Sequence, residues 1–302
     1  MPLRVLYMGT AELACPPLAA LHVSPIADVV GVVTQPDRPG GRKLKPQPSR
    51  VKQCAIELGL PVIQPQTLRT PEALEQLAAF EADLFIVTAY GQILPQTILD
   101  LPLHGALNIH ASLLPRHRGA APIQWAILEG DTETGITLMR MDAGLDTGDM
   151  IATAKTPITE SDTAQTLHDR LAEMGAALLT QSLTGFLDDT LAPVQQDDNQ
   201  STYARKIKKQ DGQIDWTQPA IDIHRKLRAF TPWPGIFTQL PIEKNRLLKI
   251  QAAEISSPKG NSGEVLFANE MGIVIGCGEQ SLNLLKLQRE GGRSLNAAEF
   301  LN

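Results

Sequence analysis

The chain has few of the residues that carry specialised chemistry. Its three cysteines, Cys15, Cys54 and Cys277, are isolated and far apart in 302 residues. That odd, scattered set argues against a disulfide framework and fits a reducing compartment. His104, His110, His117 and His168 lack the spacing and the Cys or Glu partners of a zinc set, so no metal is expected. No run approaches the ~18 apolar residues of a membrane helix. Met1-Pro2-Leu3-Arg4 leads straight into an apolar strand with no charged n-region or cleavage site, so neither a signal peptide nor a membrane partner is expected. There are no internal repeats and no low-complexity tracts. G-x-G-x-x-G is also missing, which removes the main support for a dinucleotide site.

What is present is a soluble globular composition, 43% hydrophobic and 20% charged. A cytoplasmic monomer is expected. The net charge of −6 does not by itself suggest a nucleic-acid partner, but its distribution is uneven. Residues 1–204 hold 13 basic and 23 acidic side chains, whereas residues 205–302 hold 14 and 10. An acidic first part is thus joined to a basic second part. Two domains are the ordinary expectation at this length.

The first part alternates apolar runs with helical patterns. Val5–Met8, Val29–Val33, Val62–Ile63, Leu84–Thr88 and Ala106–His110 read as buried strands. Leu13–His22, Ser49–Leu58 and Pro71–Phe80 read as helices. Thr70, Pro71 and Glu72 give the last of these an N-cap, a first-turn proline and an acid near the helix N-terminus. This rhythm predicts an α/β fold, a doubly wound, mostly parallel sheet of Rossmann-like type. Ligands of such sheets bind beyond the carboxyl ends of the strands. A helix opened by Gly119-Ala120-Ala121-Pro122 is expected to run to about Leu128, and two strands should flank the loop Asp142–Asp149. A long helix over Thr163–Leu187 should follow, capped by Ser161-Asp162. The polar, proline-containing stretch after it marks a linker. The reading is therefore a domain over 1–189, a linker over 190–204 and a second domain over 205–302. In the last part, short strands at Gly235–Leu240, Leu247–Ile255, Gly263–Phe267, Gly272–Ile275 and Ser281–Leu287 predict a small β-barrel of the oligonucleotide-binding type.

Between the second strand and second helix, Thr34–Pro48 is far longer than the usual βα connection of about two to six residues. It carries Arg38, Arg42, Lys43 and Lys45 against Asp37 alone. It is either a solvated surface loop or a mobile basic loop that meets an anionic partner.

The chemistry concentrates in Gly105–Pro122. In the strand Ala106-Leu107-Asn108-Ile109-His110, the period of two puts Asn108 and His110 on one face. An amide and a ring N–H that converge suit an oxygen gaining charge in acyl transfer. A carboxylate on the other ring nitrogen would fix the tautomer and take up a proton. Asp146 is the candidate for it, with Asp142 and Asp149 as competitors. Ser112 or Cys15 as a nucleophile is the alternative, but Ser112 has no spacing that guarantees a base, and an isolated Cys is more often a buried structural residue.

Asn108-Ile109-His110, Ser112-Leu113-Leu114-Pro115, Arg118-Gly119 and Asp146 in its glycine-flanked loop together resemble the formyltetrahydrofolate-dependent formyl transferases. The resemblance covers about the first 185 residues as a catalytic domain. It implies formyl transfer from 10-formyltetrahydrofolate, with Asn108, His110 and Asp146 as the catalytic three. It also implies a folate site lined by Ser112, Leu113, Leu114 and Pro115 and bordered by Tyr90, Gly91, Gln92, Ile93 and Leu94. Arg228-Ala229-Phe230-Thr231-Pro232-Trp233-Pro234-Gly235 and the Gln35–Pro46 loop resemble the members that act on methionyl-tRNA. They imply the initiator tRNA of translation as acceptor, contacted by Arg38, Arg42, Lys43, Lys45, Lys206, Lys208 and Lys209. A second reading keeps this chemistry, as a transferase or hydrolase, but acts on a small molecule. A third is a non-catalytic RNA-binding protein, against which the Asn108, His110 and Asp146 set speaks.

Overall fold

The computed structural model describes residues 2–40, 45–240 and 246–302. Arg42 and Lys43 lie outside them. Lys45 is described in its backbone only. In chain order, β1 (Leu3–Gly9), α1 (Cys15–His22) and β2 (Ala27–Val33) form the first βαβ unit. A short hairpin of β3 (Arg38–Gly40) and β4 (Lys45–Gln47) follows, then α2 (Arg50–Glu57), β5 (Val62–Ile63), α3 (Pro71–Ala78) and β6 (Leu84–Thr88). Next come α4 (Gln96–Leu99), β7 (Ala106–His110), β8 (Arg118–Gly119), α5 (Pro122–Leu128), β9 (Glu133–Arg140), β10 (Met150–Pro157), α6 (Ala164–Leu187) and β11 (Tyr203–Ala204). The last part holds α7 (Ala220–Ala229), β12 (Ile236–Leu240), β13 (Arg246–Ser256), β14 (Val265–Asn269), β15 (Gly272–Gly276), β16 (Ser281–Arg289), β17 (Ser294–Asn296) and α8 (Ala297–Leu301).

These elements pack into two units. The first comprises Met1–Pro122, Glu133–Pro157 and His168–Arg205; the second comprises Ile123–Thr132, Ile158–Leu167 and Lys206–Asn302. The units therefore do not follow chain order. The stretch read as a linker is held within the first: Met150 and Val194 exchange backbone hydrogen bonds, and β11 pairs with β8. The excursion over 158–167 is held in the second, where Arg228 Nη1 donates to the carbonyls of Thr159 and Asp162.

In the first unit the sheet order is β10-β9-β7-β6-β1-β2-β5. The five strands from β5 to β7 are parallel, and β9 and β10 extend the edge antiparallel. Strands buried on both faces need no apolar/polar alternation. All five residues of β6 and of β7 are buried. Leu6, Met8, Phe85 and Val87 join Leu77 of α3 and Ile98 and Leu99 of α4 in one core. Burying each such side chain contributes about 1.5–3 kcal/mol relative to exposure. A helix covers the other face as well: a Cβ on Gly175 of α6 would sit 3.0 Å from Ile109. Strand β1 lies between β2 and β6, so the chain leaves it in one direction and later returns on the other side. Beyond the paired carboxyl ends of β1 and β6, Thr10 Oγ1 donates to the Tyr90 carbonyl at 2.7 Å.

Two helix starts carry side-chain caps, the second of them expected and the first at a residue read as helical. Ser49 Oγ accepts from Lys52 N–H at 3.0 Å and Thr70 Oγ1 from Ala73 N–H at 3.3 Å. Thr70→Ala is expected to lower stability by about 1 kcal/mol, read as a lower urea midpoint at unchanged slope; an unchanged midpoint would remove the cap's role.

The second unit, expected as a small β-barrel, is built on an antiparallel sheet. Its strands run β12-β13-β16-β15-β14, with β17 beside β16. Strands β12 and β14 are the two ends of that order. Helix α7 packs on β13 and β16, burying Ile223, Leu227 and Ala229. Among the described residues no helix is long and apolar enough to cross a membrane.

Candidate active site

Strand β7 delivers Asn108 and His110 to one face, 9% and 5% exposed. His110 Nε2 lies 2.9 Å from the carbonyl oxygen of His117. A carbonyl only accepts, so Nε2 carries the hydrogen, and this bond fixes the ring. Nδ1 then faces Asp146, 3.7 Å from Oδ2, an ion-pair separation too long for a hydrogen bond. Asp146 Oδ1 accepts from Asn108 Nδ2 at 3.3 Å, and Oδ2 from the Gly119 N–H at 2.8 Å. The three residues, 38 positions apart at their widest, form one cluster.

The competing aspartates do other work. Asp142 accepts from Thr147 Oγ1 at 2.7 Å and from the Gly144 N–H at 3.0 Å, closing the loop on itself. Asp149 accepts from the Arg140 N–H through its backbone carbonyl. A Cβ on Gly148 would lie 2.0 Å from the Arg140 carbonyl oxygen, so that turn admits only glycine. Asp146 itself is left-handed at φ 54, and so is His117 at φ 59. Such backbone is uncommon outside glycine and concentrates where a site holds it.

The restraint comes from the stretch after α6. Thr202 Oγ1 accepts from the His117 N–H at 2.9 Å. The Thr202 carbonyl accepts from the Arg118 N–H, also at 2.9 Å. Gly119, at φ 116, lies so close to β11 that a Cβ would sit 2.8 Å from the Ala204 carbonyl oxygen. Gln196 Nε2 donates to the Asp146 carbonyl at 2.9 Å. The His117 carbonyl, the Gly119 N–H, Thr202 and Gln196 are thus groups around Asp146 and His110 that residue spacing did not reveal. Only Gly119 had a signal, as half of the Arg118-Gly119 pair.

The expected folate residues lie beyond the carboxyl ends of β6 and β7. Ser112 is fully buried and donates to the Arg116 carbonyl at 2.7 Å. Its hydroxyl proton is committed to the turn, which disfavours Ser112 as a nucleophile. Thr137 Oγ1 donates to the Ser112 carbonyl and accepts from the Leu114 N–H, pinning the same turn. Leu113 and Pro115 are half-buried, and Ile93 is 69% exposed. Gln92 Nε2 donates to the Pro65 carbonyl at 3.3 Å, and Gly91 takes φ 82. Tyr90 and Leu94 send their side chains into the core instead. Surface for a ligand therefore comes from Gly91, Gln92, Ile93, Leu113 and Pro115. The other nucleophile candidate also fails: burial pushes the Cys15 thiol up to about 12, leaving little thiolate near neutrality.

The basic residues fall in both units. In the first, Lys52 and Gln64 both donate to Asp37, at 2.8 and 2.7 Å, and hold its carboxyl below its ordinary range. This anchors the base of the β3–β4 hairpin, where exposed Arg38 donates to Gln35. In the second, Lys206, Lys208 and Lys209 are exposed. Three cations of α7 serve the unit's own fold: Arg225 pairs with Asp222 at 3.2 Å, Lys226 donates to the Gln213 carbonyl, and Arg228 binds the carbonyls named above.

A family model described as formyl transferase matches residues 3–183, and one described as formyl transferase, C-terminal domain, matches residues 206–302. The chain is 50% identical over 301 residues to the methionyl-tRNA formyltransferase of Pseudomonas fluorescens, covering 100% of this chain and 94% of that one. It is likewise 50% identical to the enzyme of the same name from Pseudomonas savastanoi pv. phaseolicola, with 100% and 95% covered. Among solved structures, the sugar 3N-formyl transferase WlaRD superposes with a TM-score of 0.67 at 20% identity, covering 97% of this chain and 100% of that one. HypX from Aquifex aeolicus, in complex with tetrahydrofolic acid, gives 0.63 at 18% identity, covering 100% of this chain and 47% of that one. At those identities the two structures share the fold.

Proposed function

The chain belongs to the formyl transferase family, and from that premise we infer that it moves a formyl group from 10-formyltetrahydrofolate to the α-amino group of initiator methionyl-tRNA. The observation that carries the chemistry is the Asp146 carboxylate, bonded to Asn108 and Gly119 and 3.7 Å from the His110 ring. The whole-chain likeness to methionyl-tRNA formyltransferases, second unit included, selects the acceptor.

The donor brings a formyl group on nitrogen, and the pockets ascribed to it suit a planar, partly apolar molecule: Ile93, Leu113 and Pro115 offer apolar wall and Gly91 free backbone. An α-amine titrates near 8, so a usable neutral fraction exists close to pH 7 without a covalent enzyme intermediate. As the amine bonds to the formyl carbon, charge gathers on the formyl oxygen, and Asn108 and His110 stabilise it; each such donor is worth about 10²–10³ in rate. Asp146 accepts the proton the amine loses, directly or through water, a contribution of about 10²–10⁴. Asp146 then returns that proton, directly or through water, to the donor nitrogen as its bond to the formyl carbon breaks and the formyl carbonyl re-forms.

The residues proposed to meet the tRNA are Arg38, Arg42, Lys43 and Lys45 of the basic connection and Lys206, Lys208 and Lys209 at the start of the second unit. Charge neutralisation of phosphates is their role, so binding should weaken steeply with salt. Arg42→Ala should raise KM for methionyl-tRNA several-fold and leave that for the formyl donor unchanged, as steady-state kinetics at fixed ionic strength would show. An equal effect on both would return the loop to a solvated surface. The function itself is tested by offering 10-formyltetrahydrofolate with either methionyl-tRNA or a small amine such as glycinamide ribonucleotide. Transfer to the small amine alone would sink the proposal.

A further inference from the structure

We propose that Gln196 is a positioning residue for formyl transfer that acts through Asp146; this rests on the reading of Asp146 given above. Gln196 is 7% exposed. Its Nε2 donates to the carbonyls of Asp146, at 2.9 Å, and Gly148, at 2.7 Å. Its Oε1 accepts from Arg118 Nε at 3.0 Å. Every polar capacity of the carboxamide that the site presents is thus used: two N–H bonds outward and one accepted.

The bonds form a ring. Arg118 is followed by Gly119, whose N–H donates to the Asp146 carboxylate. Gln196 links the Arg118 side chain to the Asp146 backbone. Asp146 is therefore gripped at both ends, its carboxylate by the Gly119 N–H of β8 and its carbonyl by Gln196, which Arg118 of the same strand holds. The grip explains how a left-handed aspartate keeps one orientation. Arg118 also donates to Asp198, but that side chain is 83% exposed, so Gln196 is its buried partner.

The residue type follows from the ring. Glutamate would keep Arg118's acceptor but turn an acceptor toward two carbonyls. Methionine would keep the bulk and lose all three bonds. Either change lets the Asp146 turn relax while Asn108, His110 and the acid itself remain. A misplacement of about 1 Å at a reacting group costs about 10²-fold.

The test is a double-mutant cycle with Asp146→Asn, read as single-turnover formyl transfer from 10-formyltetrahydrofolate to methionyl-tRNA, with KM for both substrates and a urea midpoint for each variant. In the unaltered background Gln196→Met should lower the rate about 10- to 100-fold at unchanged KM. In the Asp146→Asn background the same change should have almost no effect, because the group through which Gln196 acts is already gone. Gln196→Glu, which keeps the shape and the Arg118 partner, stands in where Gln196→Met does not stay folded, and should reproduce the loss. Equal fold losses in both backgrounds, or a rate that holds while only the urea midpoint falls, would overturn the inference. Absence of transfer by the unaltered protein would instead overturn the functional assignment, and full activity of Asp146→Asn the role of the acid.

Discussion

Asp146→Asn is expected to lower turnover by about 10³-fold, within the 10²–10⁴ range of a positioned proton acceptor. The substitution is nearly isosteric, and asparagine tolerates the left-handed backbone at φ 54 as well as aspartate does. The fold should therefore survive. What is lost is charge and basicity. The amide oxygen can still accept from Gly119 or from Asn108, but the amide nitrogen must then face the other of these two donors. It also faces Nδ1 of His110, where a carboxylate stood 3.7 Å away. The ring would lose the facing carboxylate while keeping the His117 carbonyl. Substrate binding, which lies with other residues, should be largely kept. Rapid-quench measurement of formyl-methionyl-tRNA at saturating donor gives the rate directly. A variant within about threefold of the unaltered protein, far below the general-base range, would show that the amine's proton leaves by another route.

Asn108→Ala and His110→Ala should each cut turnover by about 10²–10³, the usual worth of one oxyanion donor, with folate binding largely kept. The two are not equivalent. Asn108 donates to Asp146 at 3.3 Å, and truncation there removes one small group. His110→Ala removes the partner of a buried carbonyl and faces Asp146 with empty space. It should therefore cost stability as well, about 1–3 kcal/mol for the unsatisfied group. Because both residues share Asp146, the double variant should lose less than the product of the single losses. Binding of the donor, followed by its intrinsic fluorescence change or by calorimetry, separates the two effects. A loss confined to KM would move both residues from the reacting oxygen to the binding surface.

Much of this site could be read before any coordinates, for a physical reason. A parallel sheet buried on both faces leaves near-continuous apolar runs, and β1, β2, β6 and β7 stand out as such. Within a run like that two polar residues at spacing two are conspicuous, which is why Asn108 and His110 were visible. The cap at Thr70 was visible as well, because capping is local chemistry. The choice among Asp142, Asp146 and Asp149 was not. Three carboxylates in one loop have the same chemistry, and only the fold consumes Asp142 on Thr147 and Gly144. Helix α4 is a single turn and leaves no period. The β3–β4 hairpin hides in a proline- and glycine-rich connection. Strands β8 and β11 have two residues each and pair across 85 positions, as the His117–Thr202 bond measures. A pairing that short carries no pattern, so the polar stretch that holds His117, Arg118 and the Asp146 backbone resembled a spacer.

That pairing also bears on how the molecule comes into being. Asn108, His110 and Asp146 leave the ribosome early, and most of the parallel sheet can assemble once β7 is made. The groups that orient them arrive last in the first unit, with Gln196, Thr202 and β11. A nascent chain halted at the end of α6 would hold Asn108, His110 and Asp146 without Gln196, Thr202 or β11. On the proposed assignment, formyl transfer would then wait for the near-completion of that unit, a timing set by the order of the chain.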